Sequence, residues 1–181
     1  MAAPVVFLFL ASCEQHVEPI IPRPQQPTQG SPAALVDINL PPISTFEQSC
    51  SHCHGRAGAL FILPFDHQGT ALKQIVEEML IGPAQLSPST ADVGAMVIYH
   101  EALADNKPFV IITNAKSFKS GVTSTLRGEA SQGAAVRIMT EDGNTREVAS
   151  DSVGWYLEDA PCLPLIVQVE SQKGVGYIRL E

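Results

Sequence analysis

Positive charge is scarce in this chain: 11 Lys and Arg stand against 19 Asp and Glu in 181 residues, a net charge of -8. The cations form no cluster, so there is no basic patch with which to bind the phosphate backbone of a nucleic acid. No stretch approaches the ~20 consecutive apolar residues that a membrane-spanning helix needs. A second CxxC and an HxxxH pair are both missing, which leaves a structural zinc site short of its four ligands. No acid/base pair and no nucleophile constellation stands out, and this points away from catalysis. With 181 residues the chain can build one domain or two small ones.

What the chain does have is Cys50-Ser51-His52-Cys53-His54, followed by Gly55. Two cysteines separated by two residues, with a histidine directly after, is the spacing of covalent c-type haem attachment. On a helical turn Cys50 and Cys53 share a face, so their sulfurs can form thioethers to two vinyl groups. His54 then falls where its imidazole can bind the iron as proximal ligand. A bare CxxC also occurs as a zinc half-site or a redox dithiol. A thioredoxin-like dithiol, however, follows a strand, and the residues before Cys50 read as a helix. Ser44-Thr45-Phe46-Glu47 has the pattern of a capping box and predicts a helix start at about residue 44.

The run from Phe46 through Cys50, Cys53 and His54 to Gly55 resembles the N-terminal helix of small soluble cytochromes c. That resemblance implies one haem c, an electron carrier rather than an enzyme, and packing of Phe46 against the last helix. Leu72, Ile75, Val76, Met79 and Leu80 recur at helical spacing and predict a second helix over about 70–81, stopped by Gly82-Pro83. A third helix is predicted from near Ser89 to about Ala104, with Val93, Met96, Val97, His100 and Leu103 as its apolar stripe. Met96 and Tyr99 there resemble the closing helix of cytochromes c. In that family the distal methionine sits in the loop between the second and third helices. Here Gln85 and Leu86 occupy the corresponding place. Met79, just before the loop, is therefore the first candidate for the sixth iron ligand, with Met96, His100 and His67 as alternatives.

Ahead of this domain, Val5–Leu10 is a short apolar run, and Leu10-Ala11-Ser12-Cys13 resembles the lipobox of bacterial lipoproteins. The resemblance implies a signal peptide over residues 1–13, lipid on Cys13 and anchorage to a membrane on the periplasmic side. No Lys or Arg precedes the apolar run, a departure from the usual signal peptide. Glu14 follows the cysteine in place of the Asp that retains some lipoproteins at the inner membrane, which favours the outer one. Residues 14–42 hold half of the chain's 14 prolines and read as a Pro-rich tether, reaching roughly 90 Å if extended at ~3.1 Å per residue.

From residue 109 onward, helical periods give way to short β-prone runs. They begin at Phe109, Gly121, Ala135, Thr145, Gly154, Leu165 and Gly176, with Asp142-Gly143 as a hairpin turn. Of the adjacent pair Trp155 and Tyr156, one faces in and the other out, with Trp155 expected in the core. Gly128 to Leu157 resembles transthyretin-like and carboxypeptidase-regulatory-like sandwich domains, which are mostly recognition or spacer modules. The expected fold is thus α then β: a small all-α cytochrome c domain over 43–108, then a seven-stranded antiparallel β-sandwich over 109–181. Two functions follow: electron transfer to partner proteins, or a haem-based sensor or haem subunit of an oxidoreductase complex with a labile sixth site.

Overall fold

The computed structural model describes residues 38–60, 69–116, 124–161 and 164–180. Cys13 and its signal segment, most of the Pro-rich segment, His67 and Cys162 lie outside the described residues. Among the described residues no helix is long and apolar enough to cross a membrane.

The described residues contain four α-helices: α1 (Pro42–Ser49), α2 (Ser51–His54), α3 (Gly69–Ile81) and α4 (Thr90–Ala104). A 3₁₀ turn over Arg56–Gly58 follows α2. Eight strands come after: β1 (Val110–Lys116), β2 (Ser124–Ala130), β3 (Ala135–Thr140), β4 (Thr145–Val148), β5 (Ser150–Asp151), β6 (Gly154–Ala160), β7 (Leu165–Ser171) and β8 (Gly174–Leu180). They form two four-stranded antiparallel sheets, β1-β2-β6-β5 and β4-β3-β7-β8. Leu126, Trp155 and Leu157 of the first sheet and Val136, Ile138, Val167 and Val169 of the second share one core. Trp155 is buried and Tyr156 is exposed, as strand alternation requires.

This architecture corrects the expected fold. The described residues are mostly β, with two four-stranded sheets and four short helices, and not a small all-α domain followed by a seven-stranded sandwich. The strand count rises because Ser150–Asp151 pairs with β6 as a two-residue strand, too short to leave a sequence pattern. The helices fail to be a domain of their own because their core is completed by β1. Val110 and Ile112 point into the core between the sheets, while Phe109 and Ile111 pack among Phe46, Val93, Met96 and Tyr99. A strand buried on both faces reads as a continuous apolar run, which is what residues 109–112 are.

Two buried carboxylates hold the start of α1 in place. Glu129 of β2 accepts hydrogen bonds from the Ile43 N–H (2.7 Å), the Ser44 N–H (3.0 Å) and the Ser44 hydroxyl. These are donors of the first helical turn, which has no partners within the helix. The helix begins two residues before the expected capping box, at Pro42, a residue preorganised for the first helical position. The side chain of Ser44 therefore serves Glu129 rather than its own helix. Glu47 instead accepts from the Ala57 N–H at 2.7 Å. Asp92, in the first turn of α4, accepts from the Asn39 and Leu40 N–H groups (2.8 and 2.9 Å) and from both the N–H and the hydroxyl of Ser89. Burial raises the Asp92 carboxyl's pKa, but these bonds outweigh it and hold the group below the ordinary range.

Candidate functional site

The helical layer encloses an apolar cavity of about 440 Å³. One wall is the turn after α1, with Cys50, Cys53, His54 and Leu60. The second is the face of α3 made by Leu72, Ile75, Val76, Met79 and Leu80. The third is the pair Met96 and His100 of α4. The helical period explains each wall: 72, 75, 76 and 79 fall on one face, as do 96 and 100. Cys50, Cys53, His54, Met79, Met96 and His100 thus open on one space. His67 lies outside the described residues.

The turn carrying the cysteines is tightly specified. Cys50 caps α1 through its N–H to the Phe46 carbonyl (2.8 Å), and the N–H groups of Cys53 and His54 donate back to the Cys50 carbonyl. Gly55 ends α2 at φ +72°, a left-handed conformation that favours glycine, and a Cβ there would lie 2.9 Å from Leu60. The chain can therefore fold back so that the Leu60 N–H donates to the His54 carbonyl at 2.8 Å. Cys50 is half-buried and Cys53 exposed, both as free thiols. Burial, with the neighbouring Cys53, pushes the Cys50 thiol up in pKa.

Phe46 organises the floor. Its ring lies 6.3 Å from that of His54, 5.6 Å from His100 and 5.7 Å from Tyr99. Tyr99 stacks edge-on against Phe109 at 5.1 Å. His100 donates from Nδ1 to the Met96 carbonyl at 2.8 Å, since a carbonyl can only accept. Burial lowers its pKa, the Met96 carbonyl opposes this, and nearby His54 adds to the lowering, so the imidazole is neutral near pH 7.

Among the described residues, no three His, Cys, Asp or Glu side chains come together as a site for a bare ion. A haem asks less of the chain. Its iron arrives with four porphyrin nitrogens and needs only axial ligands, an apolar pocket and, for haem c, two thiols at the rim. The chemistry of this cavity fits that requirement. Leu60 is 67% and Met79 36% exposed although both line it, so its mouth is bordered by apolar surface that a flat macrocycle would cover.

Sequence reasoning missed Leu60, which periodicity does not mark, and used Leu72, Ile75, Val76 and Leu80 only as the periodicity of a helix, without assigning them to the cavity. In the loop where cytochromes c carry methionine, Leu86 packs against the helical core and Gln85 adopts a left-handed φ of 55°.

No protein-family profile matches the chain. No curated protein matches it either. Among solved structures, a double mutant of an endo-β-1,4-mannanase from Cellulomonas fimi aligns over 64% of this chain and 35% of its own, at 11% identity and a TM-score of 0.33. This chain thus spans about a third of that protein's length, and so loose a superposition says nothing of activity.

Proposed function

We propose that this chain is a monohaem c-type cytochrome that passes single electrons between partner proteins on the periplasmic side of a membrane, anchored by lipid on Cys13. One observation carries the reading: the Cys50-Cys53-His54 turn opens on an apolar cavity whose other walls bring an axial-ligand candidate, Met79, and no charged group.

Cys50 and Cys53 would hold the haem by thioethers and His54 would bind its iron. The bound haem supplies a one-electron couple. The chain's own residues set the conditions for it. Leu72, Ile75, Val76 and Leu80 exclude water from one face, which favours the less charged oxidation state. The Leu60 N–H bonded to the His54 carbonyl, with Phe46 against the ring, fixes the orientation of His54. Met79 from α3 is favoured over His100 as the sixth ligand. One phenyl ring touches both His54 and His100, an arrangement at odds with a macrocycle interposed between the two imidazoles. His100 would then flank the haem rather than ligate it.

A second reading, a haem sensor or a haem subunit of an oxidoreductase complex, is favoured by the exposure of Met79 at the rim. A ligand so exposed is easily displaced by a diatomic molecule. The two are separated by spectra of the matured protein, reduced, with and without CO. An unchanged spectrum supports the carrier, and a CO-shifted Soret band supports the sensor.

A further inference from the structure

A second, larger cleft, of about 660 Å³, shares no lining residue with the first and lies between α1, the end of α4 and three turns of the sheets at 131–133, 152–153 and 171–173. Its walls reverse the charge balance of the chain. Three of the 11 cations, Arg56, Lys107 and Lys173, line it, against one of the 19 acids, Glu47. That acid is engaged by the Ala57 N–H, and Lys107 is paired with Asp105 at 2.7 Å. Among the described residues Arg56 and Lys173 have no ion-pair partner.

Tyr99 adds a neutral donor to this cleft. The residue is only 4% exposed and lines this cleft, yet its hydroxyl makes no hydrogen bond among the described residues. The ring is buried, but the hydroxyl is not among the buried unpartnered atoms and opens on the cleft, where a solute can reach it. Burial, with the charges of Glu47 and Glu129 nearby, raises its pKa and keeps it protonated, a donor. The amides of Gln132 and Gln172, on two of the sheet turns, are also without partners among the described residues. The cleft therefore gathers solvent-accessible donors and two unpaired positive charges on an acidic protein. A concave wall of one sign focuses its field on small counter-charged solutes, which the rest of the surface repels.

We infer that this cleft is a binding site for a small oxyanion-bearing solute, a carboxylate or a phosphate, held by Arg56 and Lys173 with the Tyr99 hydroxyl donating to it. The inference does not rest on the haem reading, because no cysteine or histidine of the first cavity takes part.

The test uses the full chain, matured with haem, and titrates it calorimetrically with succinate, glucuronate and inorganic phosphate at roughly 0.15 M salt, where exposed charges are screened beyond about 8 Å. The expected result is saturable one-site binding of at least one probe. Arg56→Ala with Lys173→Ala should weaken it about tenfold or more, and Tyr99→Phe should weaken it severalfold while leaving the melting temperature within a few degrees. Arg56 and Lys173 are exposed, so the double variant should fold, and Phe keeps the Tyr99 ring contacts. Preference among the probes separates carboxylate from phosphate. Absence of saturable binding for all three, or binding unchanged in both variants, overturns the inference. Heat is read directly, so a chain that fails to acquire haem gives the same answer and the two proposals fail separately.

Discussion

Replacing Glu129 by alanine should loosen α1, the helix that leads into the cysteine turn, from the sheet it rests on. The carboxylate lies in β2, 85 residues beyond the helix it caps, and accepts from Ile43 N–H, Ser44 N–H and the Ser44 hydroxyl. Loss of a helix N-cap alone costs ~1 kcal/mol, up to about 2. Here Ile43 is itself buried, so its N–H is left without water, at a further cost of ~1–3 kcal/mol. The Ser44 groups are half-buried and water can replace their partner. The sum is about 3 kcal/mol, or roughly 6–12 °C in melting temperature for a chain of this size. Glu129→Gln keeps one acceptor oxygen but turns a donor on Ser44, and should lose about half as much. Ser44→Ala removes one of the three donors and should cost ~1 kcal/mol. The assay is urea unfolding followed in parallel by Trp155 fluorescence, which reports the core between the sheets, and by far-ultraviolet helical signal. Coincident transitions that shift together would show that helices and sheets unfold as one unit. A loss below about 0.5 kcal/mol in Glu129→Ala would refute the capping argument.

Gly128 faces the Trp155 ring and the Ile111 carbonyl so closely that a methyl group has no room. Gly128→Ala should therefore destabilise by about 3 kcal/mol or more, read as a lower urea midpoint, whereas Gly133→Ala, with open space around it but a positive φ, should cost only ~1 kcal/mol. Asp92 has a folded pKa below its unfolded value of about 3.9, so its contribution is complete above that value and is lost as pH falls through the lower folded pKa. The difference in urea midpoint between wild type and Asp92→Asn should accordingly be flat near neutrality and shrink below about pH 4. If Met79 is the axial ligand, Met79→Ala should abolish the weak red absorption band of methionine-ligated ferric haem and open the reduced form to CO. Met96→Ala should cost stability but keep the band, since Met96 is fully buried among Phe46 and Tyr99.

Much of the helical layer was legible because its signals are local. The 3.6-residue spacing of Leu72 to Leu80 predicts α3, and Ser89 caps α4 where expected. The turn at Asp142-Gly143 closes the β3–β4 hairpin as its dipeptide predicts. What escaped the sequence was long-range. Ser44 and Glu47 satisfy the letter of a capping box, yet Pro42 starts the helix earlier and Glu129 takes the cap. A glutamate in a strand carries no mark that a distant helix end lies above it. Fold class failed for the same reason, because Ile111 turns out toward the helices while its neighbours turn in, and a run of apolar residues does not say what covers each face. In the candidate site, the CxxCH spacing named three residues, but the face of α3 that lines the cavity read, apart from Met79, only as helical periodicity, and Leu60 enters through the backbone reversal at Gly55.

The most direct test of the haem reading is a pyridine haemochrome spectrum, with intact mass, of the chain co-expressed with a haem c maturation system. The account predicts a haemochrome of the two-thioether type and one haem's added mass that survives denaturation and is lost in Cys50→Ala with Cys53→Ala. Unmodified mass in the wild-type chain, with no haemochrome, would contradict it and leave Cys50 and Cys53 as ordinary thiols beside an apolar cavity.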